Sequence, residues 1–475
     1  MYFDVAQKIF KEESRGGEKI AFVAADGELS WRELKNLSAK IAQAFENGGL
    51  KKGARVLIYG DKEAFFLAAI LACYRNELTF VPVSPGLPLK RVEYVVQQSE
   101  AEALVTSGPY RNLPRVPLLI HPDLSAERTT VCAEKTFARD AYILFTSGST
   151  GAPKGVRIAA ENISAFAEDL TQALGVDEKT VFINRADFSF DISLADFFGT
   201  LQTGGTCIFH KAEHVSRNLF FERIKKYKGN CWNSTPSFVT SLLPHKEFQA
   251  KALPSIEKFV LSGENLPVSL AKELKGRFPQ AKIINAYGPT ETCIFASYAE
   301  ITDDMLQNDK LPIAKFPDNN LMLQNNEIII SGKQVGPGYL NDAALTARKF
   351  AGGKYRSGDL GEVKNGLLYY SGRTDDQIKL NGYRIEPAEI KSALEKSASI
   401  VQAECLPLEI NGTVKRLIAF VIAKEVLDTA ALKKELSEIL PSYMIPSEII
   451  AMSEFPVNTS LKTDRKKLLE LYLRS

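Results

Sequence analysis

Residues Tyr142–Val156 read YILFTSGSTGAPKGV. The apolar run Tyr142–Phe145 predicts a buried strand. After it come Gly148, Gly151 and Gly155, the hydroxyls of Thr146, Ser147, Ser149 and Thr150, and then Lys154. Glycine lets a chain bend tightly and brings its N–H groups close to a ligand. Amides and hydroxyls that converge in this way bind anions, and a lysine adds a point charge suited to phosphate. The plainer reading of a Gly/Ser-rich segment is a flexible surface loop, but this order of residues behind a strand argues against it. The Walker spacing G-x-x-x-x-G-K-[ST] does not occur, because Lys154 is followed by Gly155.

Outward from that loop, size and composition set the frame. A chain of 475 residues is too long for one ordinary domain. Hydrophobic residues at 45% and charged residues at 24% fit a globular protein. A net charge of +2 argues against a nucleic-acid partner held by bulk electrostatics. The cysteines at 73, 132, 207, 231, 293 and 405 form no C-x-x-C pair, which predicts buried thiols in a reducing compartment. His210 and His214 are four residues apart without the glutamate of a zinc motif, so solvated surface is expected for them. The N-terminus has no signal-type apolar core, and no run reaches the roughly 18 apolar residues of a membrane span. A cytoplasmic location is expected.

The N-terminal third alternates helix and strand patterns. Helices are expected at 31–45, with Ser30 as N-cap and Glu33 completing a capping box, and at 64–74. Strands are expected at 55–59 and 78–83. This alternation predicts an α/β fold with parallel sheets covered by helices. The last hundred residues read as a second, smaller α/β domain, with helices at 390–396 and 427–440 and a strand at 416–423.

Several further phrases carry chemistry. FSFDIS, Phe188–Ser193, places Asp191 in an apolar setting, where a carboxylate is costly unless a cation pairs with it. Asp191 is either a helix N-cap or the counter-ion of a substrate ammonium. CWNSTPSFV, Cys231–Val239, predicts a strand and a proline turn, and GENLP and INAYGPTET each follow a strand, where ligands collect in α/β sheets. YRSGDL, Tyr355–Leu360, puts Asp359 where a carboxylate could accept both hydroxyls of a ribose. GRTDDQIKLNGYRIEPAEI, Gly372–Ile390, reads as a hairpin and then an amphipathic helix. The tail FPVNTSLKTDRKKL, Phe455–Leu468, sets Lys462 six residues after Pro456 and just before Asp464 and Arg465.

These motifs, in this order, resemble the adenylate-forming superfamily of acyl-CoA synthetases, luciferases and peptide-synthetase adenylation domains. The resemblance spans about Leu29 to Leu468. It is nearest to D-alanine–carrier protein ligases and stand-alone amino-acid adenylation enzymes. It implies a large N-terminal domain of helix-covered mixed sheets over 1–374, which binds ATP and substrate. A small mobile C-terminal α/β domain over 375–475 would carry a hinge at Asp375 and the catalytic lysine, Lys462. The ATP-binding residues it implies are Thr146, Ser147, Gly148, Ser149, Thr150, Gly151, Lys154, Ala286, Tyr287, Gly288, Thr290, Asp359, Arg373 and Lys462. Glu291 would bind Mg2+, and Lys462, Glu291, Thr146 and Lys154 would be the catalytic set. The substrate pocket would be lined by Asp191, Ile192, Ala195, Ser237, Val260, Ser262, Ala286, Ile294 and Phe295, whose small members predict a substrate bulkier than alanine. Gly382 would line a pantetheine tunnel.

The activity implied is ATP-dependent activation of an amino acid as its adenylate, then transfer to the phosphopantetheine thiol of a separate carrier protein. Membrane and nucleic-acid partners are not expected. An acyl- or aryl-CoA ligase and a catalytically weak binding homologue remain the alternatives. Asp191 speaks against the first, and intact Lys154, Glu291, Asp359 and Lys462 speak against the second. Leu461, where the family usually has glycine, and a trimmed hairpin at 318–327 depart from the pattern.

Overall fold

The computed structural model describes residues 17–106, 113–114, 116–121, 123–124, 126–128, 140–148, 151–211, 217–318, 320–410, 413–457 and 463–474. Within these the chain forms two compact units. The first holds what is described up to Pro85, Val95–Leu144 and Gly155–Thr374. The second holds Gly86–Tyr94, Phe145–Lys154 and the described part of Asp375–Ser475.

The first unit is built on two eight-stranded sheets. In one, the strands run in the order Ser297–Glu300, Lys282–Tyr287, Lys258–Leu261, Cys231–Ser234, Val181–Asn184, Thr206–Phe209, Ile20–Val23 and Glu28–Ser30. Neighbours are parallel except at the two edges, where short antiparallel pairs close the sheet. Alternation sorts the side chains by face. Phe182, Cys231, Val260, Ile284 and Ala286 join one core, which also takes in Phe166 and Phe197 from the helices Ala160–Leu174 and Ile192–Thr203. Ile183, Trp232, Phe259, Leu261 and Ile283 point the other way into a second core.

The second sheet has Arg55–Tyr59 and Thr79–Val83 at its centre, every residue of both buried, and includes Asp140–Thr146, the strand that leads into the glycine-rich loop. A six-stranded sheet follows, whose strands Leu321–Gln324 and Glu327–Ser331 turn through Asn325 and Asn326, both at positive φ. The trimmed stretch is thus a two-residue hairpin of the kind asparagine favours.

Helix signals match closely at the start of the chain. Ser30 Oγ accepts from Glu33 N at 3.2 Å and Ser30 N donates to Glu33 Oε2 at 2.8 Å, capping the helix Trp31–Asn47. Two local readings change. The proline turn after Ser234 is the helix Pro236–Leu242, capped by Thr235, because proline is well suited to the first helical position. His210, expected at the surface, is 0% exposed, with its ring 4.3 Å from that of Phe220. Burial pushes its imidazole well below the usual range, so it is neutral. His214 lies outside the described residues.

In the second unit the hairpin Ile378–Leu380/Tyr383–Ile385 turns through Asn381 and Gly382 at φ 53° and 82°. The helix Pro387–Glu395 follows, then a three-stranded sheet of Ile400–Ile410, Thr413–Ala423 and Glu448–Ala451. Ile390, Leu394, Ala403, Leu417, Ala419 and Leu436 fill its core. Among the described residues no helix is long and apolar enough to cross a membrane.

Candidate active site

In the first unit the expected nucleotide residues gather where the strand Lys282–Tyr287 ends. Gly288 is required there: a Cβ would sit 2.5 Å from Ile294 O and 2.7 Å from Ala296 N. That close approach lets Ala296 N bond Tyr287 O at 2.8 Å. Tyr287 OH donates to Asp359 Oδ2 at 2.7 Å, and Arg373 pairs with Asp359 Oδ1. Arg373 also donates to Ser357 O at 3.2 Å, and Asp359 N to Ser357 Oγ at 2.9 Å. All three side chains are buried, and burial beside Asp359 holds the Tyr287 phenol well above its ordinary range. A carboxylate has about four lone-pair positions, so Asp359 keeps capacity for a diol beside these two partners.

Thr290 opens a single turn of 3-10 helix, Thr290–Thr292, which buries Glu291 completely. Tyr339 OH donates to Glu291 Oε1 at 2.8 Å and lies 3.4 Å from Tyr355 OH. Nothing in the sequence around Tyr339 marked it as a partner of Glu291.

Asp191 stands at the N-cap position of the helix Ile192–Thr203, yet its side chain makes no capping hydrogen bond, and its backbone is already helical at φ −61°. The capping use is therefore not made. Electrostatically its carboxylate is felt by the Tyr142 phenol and the Cys293 thiol, which lie 3.9 Å apart, and it adds to the burial that raises both. Cys293 and Ile294 have φ of 56° and 76°, and Phe295 N bonds Cys293 O at 3.1 Å. A β-branched residue at such a φ is strained. This turn puts Ile294 and Phe295 beside Gly288.

Ala195, Val260, Ser262, Ala286, Ile294 and Phe295 are buried, while Ile192 and Ser237 are half-buried. Ser262 follows the strand Lys258–Leu261 and points to the face of Val260; its hydroxyl is buried without a partner among the described residues. The first unit thus holds all of the expected substrate residues on or beside the C-terminal ends of its parallel strands.

The second unit holds the glycine-rich loop. Thr146 Oγ1 is buried with no partner among the described residues. Ser147 Oγ donates to Arg384 O at 2.8 Å, and Gly148 N reaches Glu389 Oε2 at 3.4 Å. Glu389 is also paired with Arg91, both buried. Gly148 cannot carry a side chain, since a Cβ would lie 1.9 Å from Ala152 O, and Gly151 has φ +82°. Lys154 opens the strand Lys154–Ala159. The loop amide expected to meet phosphate therefore meets a carboxylate. Ser149, Thr150, Leu461 and Lys462 lie outside the described residues. Asp375 begins the C-terminal stretch of this unit, and Gly382 is the second of the two left-handed residues in the hairpin turn.

Comparison with known proteins agrees with the motif order. The family described as AMP-binding enzyme matches residues 10–340. The D-alanine–D-alanyl carrier protein ligase of Bacillus licheniformis is 35% identical over 487 aligned positions, covering 95% of this chain and 96% of that protein. The o-succinylbenzoate CoA synthetase of Bacillus subtilis superposes with a TM-score of 0.85 at 22% identity, covering 98% of both chains. The Vibrio cholerae adenylation domain AlmE, solved with glycyl-adenosine-5'-phosphate, does so at 0.83 and 21% identity, covering 99% of this chain and 97% of that one.

Proposed function

The chain belongs to the AMP-binding enzyme family, and from that premise we propose that it is an AMP-forming ligase that activates an amino acid with ATP and passes it to a carrier protein. The observation that carries the amino-acid reading is Asp191: an acid in an apolar phrase, at a helix start it does not cap. Such a carboxylate has work to do when a substrate ammonium arrives.

A carboxylate is a poor electrophile because its leaving group would be oxide. Attack by the amino acid carboxylate on the α-phosphorus of ATP breaks the bond to pyrophosphate and forms the aminoacyl adenylate. Charge builds on the phosphate oxygens, so positioned cations and amides do the catalysis. In this reading Thr146, the Ser147–Gly151 loop and Lys154 bind the phosphates. Asp359 takes the ribose diol, with Arg373 and Tyr287 holding it, and Ala286, Gly288 and Thr290 shape the rest of the nucleotide site. Lys462 meets the α-phosphate.

Glu291 is the residue that would hold Mg2+. Among the described residues no group of three or more ligand side chains exists, but a magnesium ion that rides on nucleotide phosphates needs only one or two carboxylates. Glu291 fits, fully buried with one oxygen oriented by Tyr339. The ion would neutralise phosphate charge. A carrier thiol then attacks the adenylate carbonyl, forming the thioester and releasing AMP. Gly382 would line its approach, and Asp375 would be the hinge between domains at 1–374 and 375–475. The carrier is a separate protein, and the reaction takes place in the cytoplasm.

The test is amino-acid-dependent ATP–pyrophosphate exchange over a panel of amino acids and simple carboxylic acids, followed by loading of a phosphopantetheinylated carrier. Exchange with amino acids alone is expected. Exchange driven by simple acids and transfer to coenzyme A would replace this reading with the CoA-ligase one.

A further inference from the structure

Helices usually rest on sheets through apolar side chains. The helix Ile192–Thr203 does so through Phe197 and its neighbours, but at its N-terminal turn it also meets two asparagines. Asn184 ends the strand Val181–Asn184 and Asn233 lies in Cys231–Ser234. These strands are parallel neighbours with Ile183 opposite Trp232, which puts Asn184 beside Asn233 on the face that carries Phe182 and Cys231. Asn184 Nδ2 donates to Ser193 O and to Asp196 Oδ2, both at 2.9 Å, and Asn233 Nδ2 donates to Ile192 O at 3.1 Å. Asn184, Asn233 and Asp196 are 0%, 4% and 2% exposed.

This frame is expensive. Asn184 Oδ1 and Asn233 Oδ1 are buried without partners among the described residues, a cost that leucine would avoid only by taking a donor away from the buried Asp196 carboxyl. Burial holds the Asp196 carboxyl well above its ordinary range despite the asparagine amides. The gain lies in where the bonds fall. The two carbonyls they grip belong to Ile192 and Ser193, the residues directly after Asp191. On the other flank Ser193 N and Ser193 Oγ bond Phe190 O at 3.1 Å and 2.7 Å. Asp191 is thus fixed from both sides while its own side chain takes no part in capping.

We propose that Asn184 and Asn233, completed by Asp196, are positioning residues: they set the first turn of the Ile192–Thr203 helix and so aim the Asp191 carboxylate at the substrate ammonium. The proposal rests on the amino-acid reading of Asp191. None of the three touches substrate. Their effect is geometric, and a shift of about 1 Å in a positioning group is enough to change rates by roughly 10²-fold.

The experiment is pyrophosphate exchange with the wild type, Asn184→Leu, Asn233→Leu and Asp196→Asn, using the amino acid the wild type activates best. In the leucine variants the amino-acid KM should rise roughly 10- to 100-fold, with the ATP KM within about twofold. Asp196→Asn, which replaces one acceptor oxygen of the frame by an amide, should raise the amino-acid KM in the same direction and leave the ATP KM within about twofold. Asn184→Ser and Asn233→Ser, which keep a short polar group, serve where leucine prevents folding, and they should show the same KM split. Unchanged amino-acid KM in the leucine or serine variants overturns the proposal. So does a rise in both KM values together with a lower melting temperature, which marks a merely structural role. A wild type that exchanges with no amino acid overturns the ligase reading first and this proposal with it.

Discussion

The nucleotide end and the amino-acid end of the first unit solve the same problem in opposite ways. At the nucleotide end the buried charges come in a closed set: Asp359 is bonded by Tyr287, paired with Arg373 and supported by Ser357. At the amino-acid end, buried polar atoms are left over. Ser262 Oγ and Tyr298 OH have no partner among the described residues. ATP offers the same ribose and phosphates on every turnover, so its site can be built complete and exchange bonds with the ligand. The amino acid brings the one group that distinguishes it, an ammonium, and its side chain. A site that selects for these holds polar groups in reserve.

The contrast breaks most visibly in stability. Arg373→Leu leaves Asp359 buried opposite only a phenol. Removing one partner of a buried pair typically costs about 3–5 kcal/mol, and urea unfolding of the variant should show a loss of that size. Asp191→Asn should do the reverse. The residue is half-buried and caps nothing, so its unfolding midpoint should stay near wild type. Activation should fall by what an unpaired interfacial charge is worth, about 2–5 kcal/mol, with the ATP KM unchanged. If Arg373→Leu is as stable as wild type, the closed set at the nucleotide end is not closed by that pair. If Asp191→Asn exchanges pyrophosphate normally, the amino-acid end has been assigned to the wrong carboxylate.

How much of this was legible in the sequence differs between the two ends. The strand before the glycine loop, the capping box at Ser30 and Glu33, and the family motifs reporting on Asp191 and Glu291 are local signals, readable because neighbours in sequence act together. His210 was misread because polarity predicts exposure, whereas this ring is packed on Phe220. Pro236 was misread because proline both breaks a helix and begins one. Asn184, Asn233 and Tyr339 carried no local signal at all. Register alone brings the first two together, and chain folding over 48 residues brings Tyr339 to Glu291. Nor does the loop motif tell that Gly148 meets Glu389 in the second unit. Chemistry could be read from spacing, whereas the groups that aim it came only with the structure.

A third test concerns Lys62, a charge that acts on Asp196 of the asparagine frame. Lys62 is 1% exposed and donates to Arg185 O at 3.0 Å and His210 O at 2.7 Å, just beyond the strands Val181–Asn184 and Thr206–Phe209. Burial lowers its ammonium from the ordinary 10.5 to about 8, against the pull of Asp61 and Asp187. The folded value lies below the unfolded one. Between about pH 8 and 10.5 the unfolded chain therefore holds a proton the folded chain has lost, and this group makes stability rise with pH. Over that window its contribution grows by about 3 kcal/mol. Stability of wild type minus that of Lys62→Met, measured by urea unfolding at successive pH values, should climb through the window and level off above it. A flat difference would mean that Lys62 stays charged in the fold and that the strand ends are held by an ion.

The smallest expected effect tests the reserve itself. Ser262 is 3% exposed and its hydroxyl finds no partner. An orphaned buried hydroxyl carries a penalty of about 1–3 kcal/mol, so Ser262→Ala should be more stable than wild type, by an amount near the low end because one small group is removed. Stability alone would make alanine the better residue here. What serine adds is seen only with substrate present. Ser262 is flanked across the sheet by Ala286, and Ala286 pairs with Tyr298, whose hydroxyl is also buried and unpartnered. Small side chains leave room, and leftover hydroxyls ask for a substrate that can bond them. The variant should therefore lose relative activity toward amino acids with a hydroxyl or amide side chain, compared with alanine, by the net worth of one hydrogen bond, roughly 2- to 12-fold. The measurement is pyrophosphate exchange with serine, threonine, asparagine, alanine and valine for wild type and variant side by side. A variant that is more stable but has unchanged preferences would show that the Ser262 hydroxyl never meets substrate. A variant that is less stable would show that the hydroxyl already has a partner in solution, and the contrast between the two ends of the site would then narrow to Asp191 and the asparagine frame.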